Sequence, residues 1–266
     1  MQNTFISMMG QERGHSCRQG QSRLNSSARI LAHPTSPGVW HLSGAAMLSF
    51  SLALLLLAGC QTAPPNSLAT HSSTRWEKDI AAFEASDKTN PPPKDGIVFV
   101  GSSSIKRWTN LAADFPGFPV INRGFGGSQL ADSVNFAERI ITPYQPRQVV
   151  IYAGGNDINA GKPPELVYGD FVALVSKIHA QLPHTRIAFI SSAPSPSRWK
   201  QIEKVRRFNA LAQAYCRRHR IVFINVAPLM LGPDGQPKPD IFVADRLHMN
   251  EKGYAIWIKA VTPCLK

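Results

Sequence analysis

The chain has 266 residues, a formal net charge of +12 and a hydrophobic fraction of 43%. That apolar content excludes a wholly disordered chain, and the length allows one or two domains. Its cysteines, Cys17, Cys60, Cys216 and Cys264, form no Cys-x-x-Cys pair, which excludes a thioredoxin-like centre or a cysteine zinc site.

Residues 43–57, SGAAMLSFSLALLLL, are the first element in chain order. The run is shorter than the ~20 apolar residues that span a bilayer, but it has the length of a signal-peptide core. The next residues, Leu57-Ala58-Gly59-Cys60, resemble the bacterial lipobox. The resemblance implies that Cys60 receives a diacylglyceryl group and heads the mature chain. Gln61 after the cysteine, by the same resemblance, implies the outer membrane of a Gram-negative cell, facing the periplasm. Residues 1–59 are then an N-terminal extension and signal peptide. Residues 60–74 are the lipidated cysteine and a flexible Pro/Ser/Thr/Ala-rich linker, and 75–266 the folded domain. A leader of about sixty residues exceeds the usual 15–30. A start at Met47 would leave no basic segment before the apolar run, so the translation start stays open.

The domain alternates short apolar runs with amphipathic stretches. Strands are expected at 97–100 (IVFV), 119–122, 148–153 (QVVIYA), 186–191 (RIAFIS) and 221–226 (IVFINV). Such continuously apolar runs are expected of parallel strands covered on both faces. Helices are expected near 75–86, 129–141, 165–182, 199–219 and 250–261, with Asn250 as a candidate N-cap for the last. This alternation predicts an α/β fold with helices on both faces of a parallel sheet. The fourth helix lies in a basic stretch: Arg198, Lys200, Lys204, Arg206, Arg207, Arg217, Arg218 and Arg220. A solvated helix face is the ordinary reading of such a run, and an anionic partner the sharper one.

Ligands of parallel α/β sheets bind beyond the carboxyl ends of the strands. The residues there carry chemistry. Gly101-Ser102-Ser103-Ser104 follows the first strand, and Gly124-Phe125-Gly126-Gly127 the second. Gly154-Gly155-Asn156-Asp157 follows the third, and Asp245-Arg246-Leu247-His248 lies beyond the fifth. Acyl transfer needs these parts. A serine hydroxyl becomes a nucleophile when a base takes its proton. A histidine serves as that base when a carboxylate orients it, and preorganised donors meet the oxyanion. Asp245 and His248, three apart, can be presented by one loop.

Together these segments resemble the ordered blocks of the SGNH/GDSL hydrolase family over roughly residues 95–262. The resemblance implies a flavodoxin-like three-layer α/β/α fold with a five-stranded parallel sheet. It also implies a metal-free, cofactor-free esterase or lipase activity on carboxylic esters. It places the nucleophile on Ser103, the oxyanion glycine on Gly127, the oxyanion asparagine on Asn156, and the Asp-x-x-His on Asp245 and His248. The family's first block reads Gly-Asp-Ser, whereas Ser102 stands at its middle position here. With three adjacent serines, Ser102 and Ser104 compete with Ser103 for the assignment.

Other motifs fail. No Gly-x-Ser-x-Gly elbow occurs, Gly124–Gln129 lacks the last glycine of a dinucleotide fingerprint, and no His-Glu-x-x-His metal set is present. The lack of a long insertion that could form a lid favours small or surface-accessible esters, such as acetylated carbohydrate, as substrates. One competing reading is a non-catalytic binding lipoprotein on a degenerate scaffold, motivated by Ser102. Another is a nucleic-acid binder, motivated by the charge and opposed by the export signal. Cys216 and Cys264 could pair as a disulfide in an oxidising compartment, or remain two separately buried thiols.

Overall fold

The computed structural model describes residues 73–266. The expected leader 1–59, the lipidation site Cys60 and all but the last two residues of the linker 60–74 lie outside the described residues. Five strands form one sheet: β1 (Ile97–Gly101), β2 (Val120–Gly124), β3 (Gln148–Tyr152), β4 (Arg186–Ile190) and β5 (Val222–Ile224). All neighbours are parallel, in the order β2-β1-β3-β4-β5. This is the flavodoxin-like three-layer α/β/α arrangement that the family resemblance implies, with the parallel sheet that the alternation predicts.

The apolar runs make both faces of the sheet. Every residue of β1 is buried, with Val98 and Val100 in one half of the core and Ile97 and Phe99 in the other. Helices α1 (Glu77–Thr89), α4 (Leu130–Ile140), α6 (Pro164–Gln181) and α7 (Ile202–Arg218) cover the first face. The other is covered by α8 (Glu251–Val261) and two one-turn helices, α2 (Ser103–Lys106) and α3 (Leu111–Asp114). Asn250 caps α8, its Oδ1 accepting the N–H groups of Lys252 (3.0 Å) and Gly253 (3.2 Å). Each fully buried Leu, Ile or Phe side chain contributes about 1.5–3 kcal/mol. Exposed pairs on α7, such as Arg206–Glu203 and Arg207–Glu165, contribute less than about 1 kcal/mol. Burial therefore holds the layers together. These pairs neutralise part of the basic stretch on the exposed face of α7.

Two expectations need correction. Strand β5 is three residues long, not six, because its ladder ends early. The Ser191 hydroxyl accepts the N–H groups of Val226 (3.0 Å) and Ala227 (3.2 Å), drawing the chain out of the sheet. Cys216 and Cys264 are not joined by a disulfide. Cys216 lies in the core half beneath α7 and Cys264 in the half beneath α8, with the sheet between them. Burial pushes the Cys216 thiol up to about 12, so it is a protonated, inert core group at neutral pH.

The order of the strands sets where a ligand can sit. The chain leaves β1 for the β2 edge and returns to β3 on the other side. This leaves a crevice at the carboxyl ends of β1 and β3. Helix α2 starts there directly after β1, and the short helix α5 (Gly155–Asn159) directly after β3.

Candidate active site

Tight turns carry the two loops into the crevice. A Cβ on Gly101 would lie 1.9 Å from the Tyr152 carbonyl oxygen, so only glycine lets β1 leave the sheet beside β3. Gly154 has a φ of +107° and abuts the Phe208 ring, where a Cβ would stand 2.4 Å from the ring edge. The Ser103 helix is pinned from β2. Asn122 Nδ2 donates to the Ile105 carbonyl at 2.7 Å, while its Oδ1 accepts the Gly124 N–H at 2.9 Å.

Of the three adjacent serines, Ser103 is the one that meets the imidazole. Its Oγ is 2.9 Å from His248 Nε2. Ser102 is buried, and its carbonyl accepts the N–H groups of Ile105 and Lys106. The Ser104 carbonyl accepts the Tyr254 hydroxyl at 2.9 Å. On the far side of the ring, His248 Nδ1 lies 2.6 Å from Asp245 Oδ2. With Nδ1–H given to the carboxylate, Nε2 is the basic nitrogen and faces the serine.

The loop that bears this pair is shaped by the same carboxylate. Asp245 Oδ1 accepts the N–H groups of Leu247 and His248, both at 2.9 Å. The Val243 N–H donates to the His248 carbonyl (2.9 Å), and Phe242 and Met249 bridge across the base of the loop. Arg246 at the tip has a φ of +57°. Burial works to raise the pKa of Asp245. The hydrogen bonds from the His248 ring and from the N–H groups of His248 and Leu247 outweigh it, holding the carboxyl below the usual carboxylate range.

Asn156 also faces the cleft, with its amide orientation set by two partners. Nδ2 donates to the Ser128 carbonyl at 2.9 Å, and Oδ1 accepts Arg198 Nη1 at 2.9 Å. The first bond uses one of two amide hydrogens and leaves the second available. The backbone N–H groups of Ser103 and Gly127 donate to no acceptor among the described residues. Gly127 has a φ of +77°. Its carbonyl accepts Arg75 Nη2 at 3.3 Å, and a Cβ there would lie 3.3 Å from the Trp76 ring. Gly126 stands nearer the serine, since a Cβ there would lie 3.9 Å from Ser103 Cβ.

Beneath Asn156 is the buried carboxyl of Asp157. It accepts the Leu130 N–H at 3.1 Å and faces Lys162 Nζ at 3.4 Å. It therefore ties the start of α4, just after the Gly126-Gly127 loop, to α5. Burial raises its pKa to about 6, assisted by the charge of Asp170 and opposed by that of Lys162.

Arg198, Tyr152 and Trp257 line the same cleft but do not stand out in the sequence. Arg198 is hidden in the basic stretch. Its position shortly after β4, at the edge that carries the other site residues, is the signal that singles it out.

A family model described as GDSL-like Lipase/Acylhydrolase matches residues 94–256. The chain belongs to this family. Membership in the GDSL-like lipase/acylhydrolase family supports hydrolase activity towards esters. No curated protein matches the sequence. Among solved structures, a Bacteroides fragilis protein named as an acylhydrolase aligns at 22% identity with a TM-score of 0.60, over 72% of this chain and 94% of its own. A GDSL-like lipase from Bacteroides thetaiotaomicron aligns at 20% identity and TM-score 0.60, over 73% and 96%. A catalytic mutant of an acetylxylan esterase from Geobacillus stearothermophilus aligns at 12% identity and TM-score 0.52, over 65% and 95%. At these identities the likeness speaks to the shared fold.

Proposed function

We propose that this chain is a serine esterase that cleaves short-chain acyl or acetyl esters, acetylated carbohydrate among them. The observation that carries the reading is the line from Asp245 through His248 to Ser103, with contacts of 2.6 and 2.9 Å. His248 Nε2 takes the hydroxyl proton as Ser103 Oγ bonds to the ester carbon. The carbonyl π pair moves onto oxygen, where the N–H groups of Ser103 and Gly127 and the Asn156 amide receive it. Collapse breaks the ester C–O bond, and His248 returns the proton to the departing alkoxide. Water then repeats the sequence on the acyl-enzyme, releasing the acid and restoring Ser103.

The cleft favours short acyl groups because bulky side chains, Tyr152, Met230, Phe242 and Trp257, line it. The test is a panel of p-nitrophenyl esters of increasing acyl length against the full chain in detergent. Turnover should peak at the short chains. A peak at long chains would contradict the substrate assignment. The absence of both turnover and fluorophosphonate labelling would leave a binding lipoprotein as the reading.

The same proposal places the domain on a lipid anchor at Cys60, followed by the linker, at the periplasmic face of an outer membrane. Its support is the apolar run at 43–57 and the lipobox-like Leu57-Ala58-Gly59-Cys60.

A further inference from the structure

Arg198 brings more donors to the cleft than its one contact with Asn156 uses. It lies in a 3-10 turn (Pro196–Gln201) after β4. That turn is attached to the catalytic loop by the Ser197 N–H, which donates to the Arg246 carbonyl at 3.1 Å. One corner of the guanidinium is used, Nη1 donating to Asn156 Oδ1. Nε and Nη2 make no hydrogen bond, and no carboxylate pairs with Arg198, among the described residues.

Two other arginines withdrawn from solvent carry side-chain carboxylate partners. Arg123 pairs with Asp87, and Arg139 with Glu77 and Glu84. Arg198 is half-buried beside Ser103, Asn156 and His248 without such a partner. Burial lowers its pKa from the ordinary arginine value, with the nearby Tyr152 opposing, so its surroundings disfavour the charge. Removing a guanidinium from water without a counter-charge costs stability, and a bound anion offsets that cost. The free edge is a planar pair of donors, the shape that grips a carboxylate through two parallel hydrogen bonds.

We propose that the cleft takes esters bearing a carboxylate close to the scissile carbonyl, and that Arg198 is the group that holds it. The substrate class is then a hemi-ester of a dicarboxylic acid, or an acylated hydroxy acid or sugar acid. This rests on the esterase reading of Ser103, His248 and Asp245.

Two matched pairs of substrates test it on the full chain in detergent. The anion is on the acyl side in p-nitrophenyl hemisuccinate, with p-nitrophenyl butyrate as the neutral control. It is on the alcohol side in 4-acetoxybenzoate, with 4-acetoxybenzamide as control. The wild type should prefer the anionic member of at least one pair in kcat/KM. Arg198→Gln, which retains an N–H donor for Asn156 but no charge, should lower that preference about tenfold to a hundredfold, mainly through KM. Arg198→Lys should keep part of it. Fluorophosphonate labelling of Ser103 in each variant reports that the site is folded.

Equal losses on anionic and neutral members would overturn the proposal and leave Arg198 as an orienting group for Asn156. So would a wild type with no preference in either pair. Labelled Ser103 without anion preference rejects only the carboxylate. Failure to label or hydrolyse anything rejects the esterase reading itself, and the proposal with it.

Discussion

One carboxylate, that of Asp245, both shapes the loop bearing His248 and orients the His248 ring. Oδ1 accepts two backbone N–H groups of the loop, and Oδ2 holds Nδ1 at 2.6 Å. The two functions can be separated by substitution. In Asp245→Asn the amide oxygen can still accept the loop N–H groups, but its NH2 faces Nδ1 and favours the wrong tautomer. Turnover should fall by ~10²–10⁴ with little change in melting temperature. The lower end is allowed because Asp245 is 42% exposed and solvent can partly replace it. Steady-state kinetics beside thermal unfolding checks this, and a loss below about tenfold would count against the relay.

Asn156 is expected to act on the charged intermediate. Losing one preorganised donor typically costs ~10²–10³ in kcat. Asn156→Ala should therefore lower kcat far more than it raises KM, while fluorophosphonate labelling slows but persists. A purely structural Asn156 would instead give a less stable protein with nearly normal turnover per folded molecule.

Asp157 sets a pH dependence of stability. Its folded pKa of about 6 lies above the ordinary value of 3.8, so the native state holds this proton more tightly than the unfolded chain. The contribution is fully present below about pH 4 and is lost as pH rises through 6. Asp157→Asn removes the titration and keeps an acceptor for the Leu130 N–H. Its stability relative to wild type should rise by about 2 kcal/mol between pH 4 and pH 7. Urea midpoints at the two pH values measure this, and parallel curves for the two proteins would refute it.

Cys60→Ser should move the protein from the membrane to the soluble fraction, since stable attachment needs more than one acyl chain. Fractionation with mass analysis of the N-terminal peptide checks the anchor. Unchanged membrane association would point to a different attachment.

The strands were legible because their apolar runs, such as IVFV at 97–100, are continuous and bounded by turn residues. The end of β5 was not, because a distant hydroxyl, that of Ser191, terminates it. The site blocks were legible from their positions after strands. The choice of Ser103 over Ser102 and Ser104 came from the family resemblance and not from the residues themselves, since it turns on a contact 145 residues away. The Cys216–Cys264 pairing failed for a related reason. Sequence order says that two helices precede and follow the final blocks, but not that the sheet divides them. The place of Arg198 in the cleft was not legible, because a charge run looks alike whether its members face solvent or a cleft.

The central claim is that Ser103 is the nucleophile. Intact-mass spectrometry after fluorophosphonate treatment tests it directly on the wild type and on Ser103→Ala, Ser102→Ala and Ser104→Ala. One phosphonyl adduct should form on the wild type and on the Ser102 and Ser104 variants, mapping to Ser103, and none on Ser103→Ala. A labelled Ser103→Ala, or an adduct mapped to Ser102 or Ser104 in the wild type, would contradict the account.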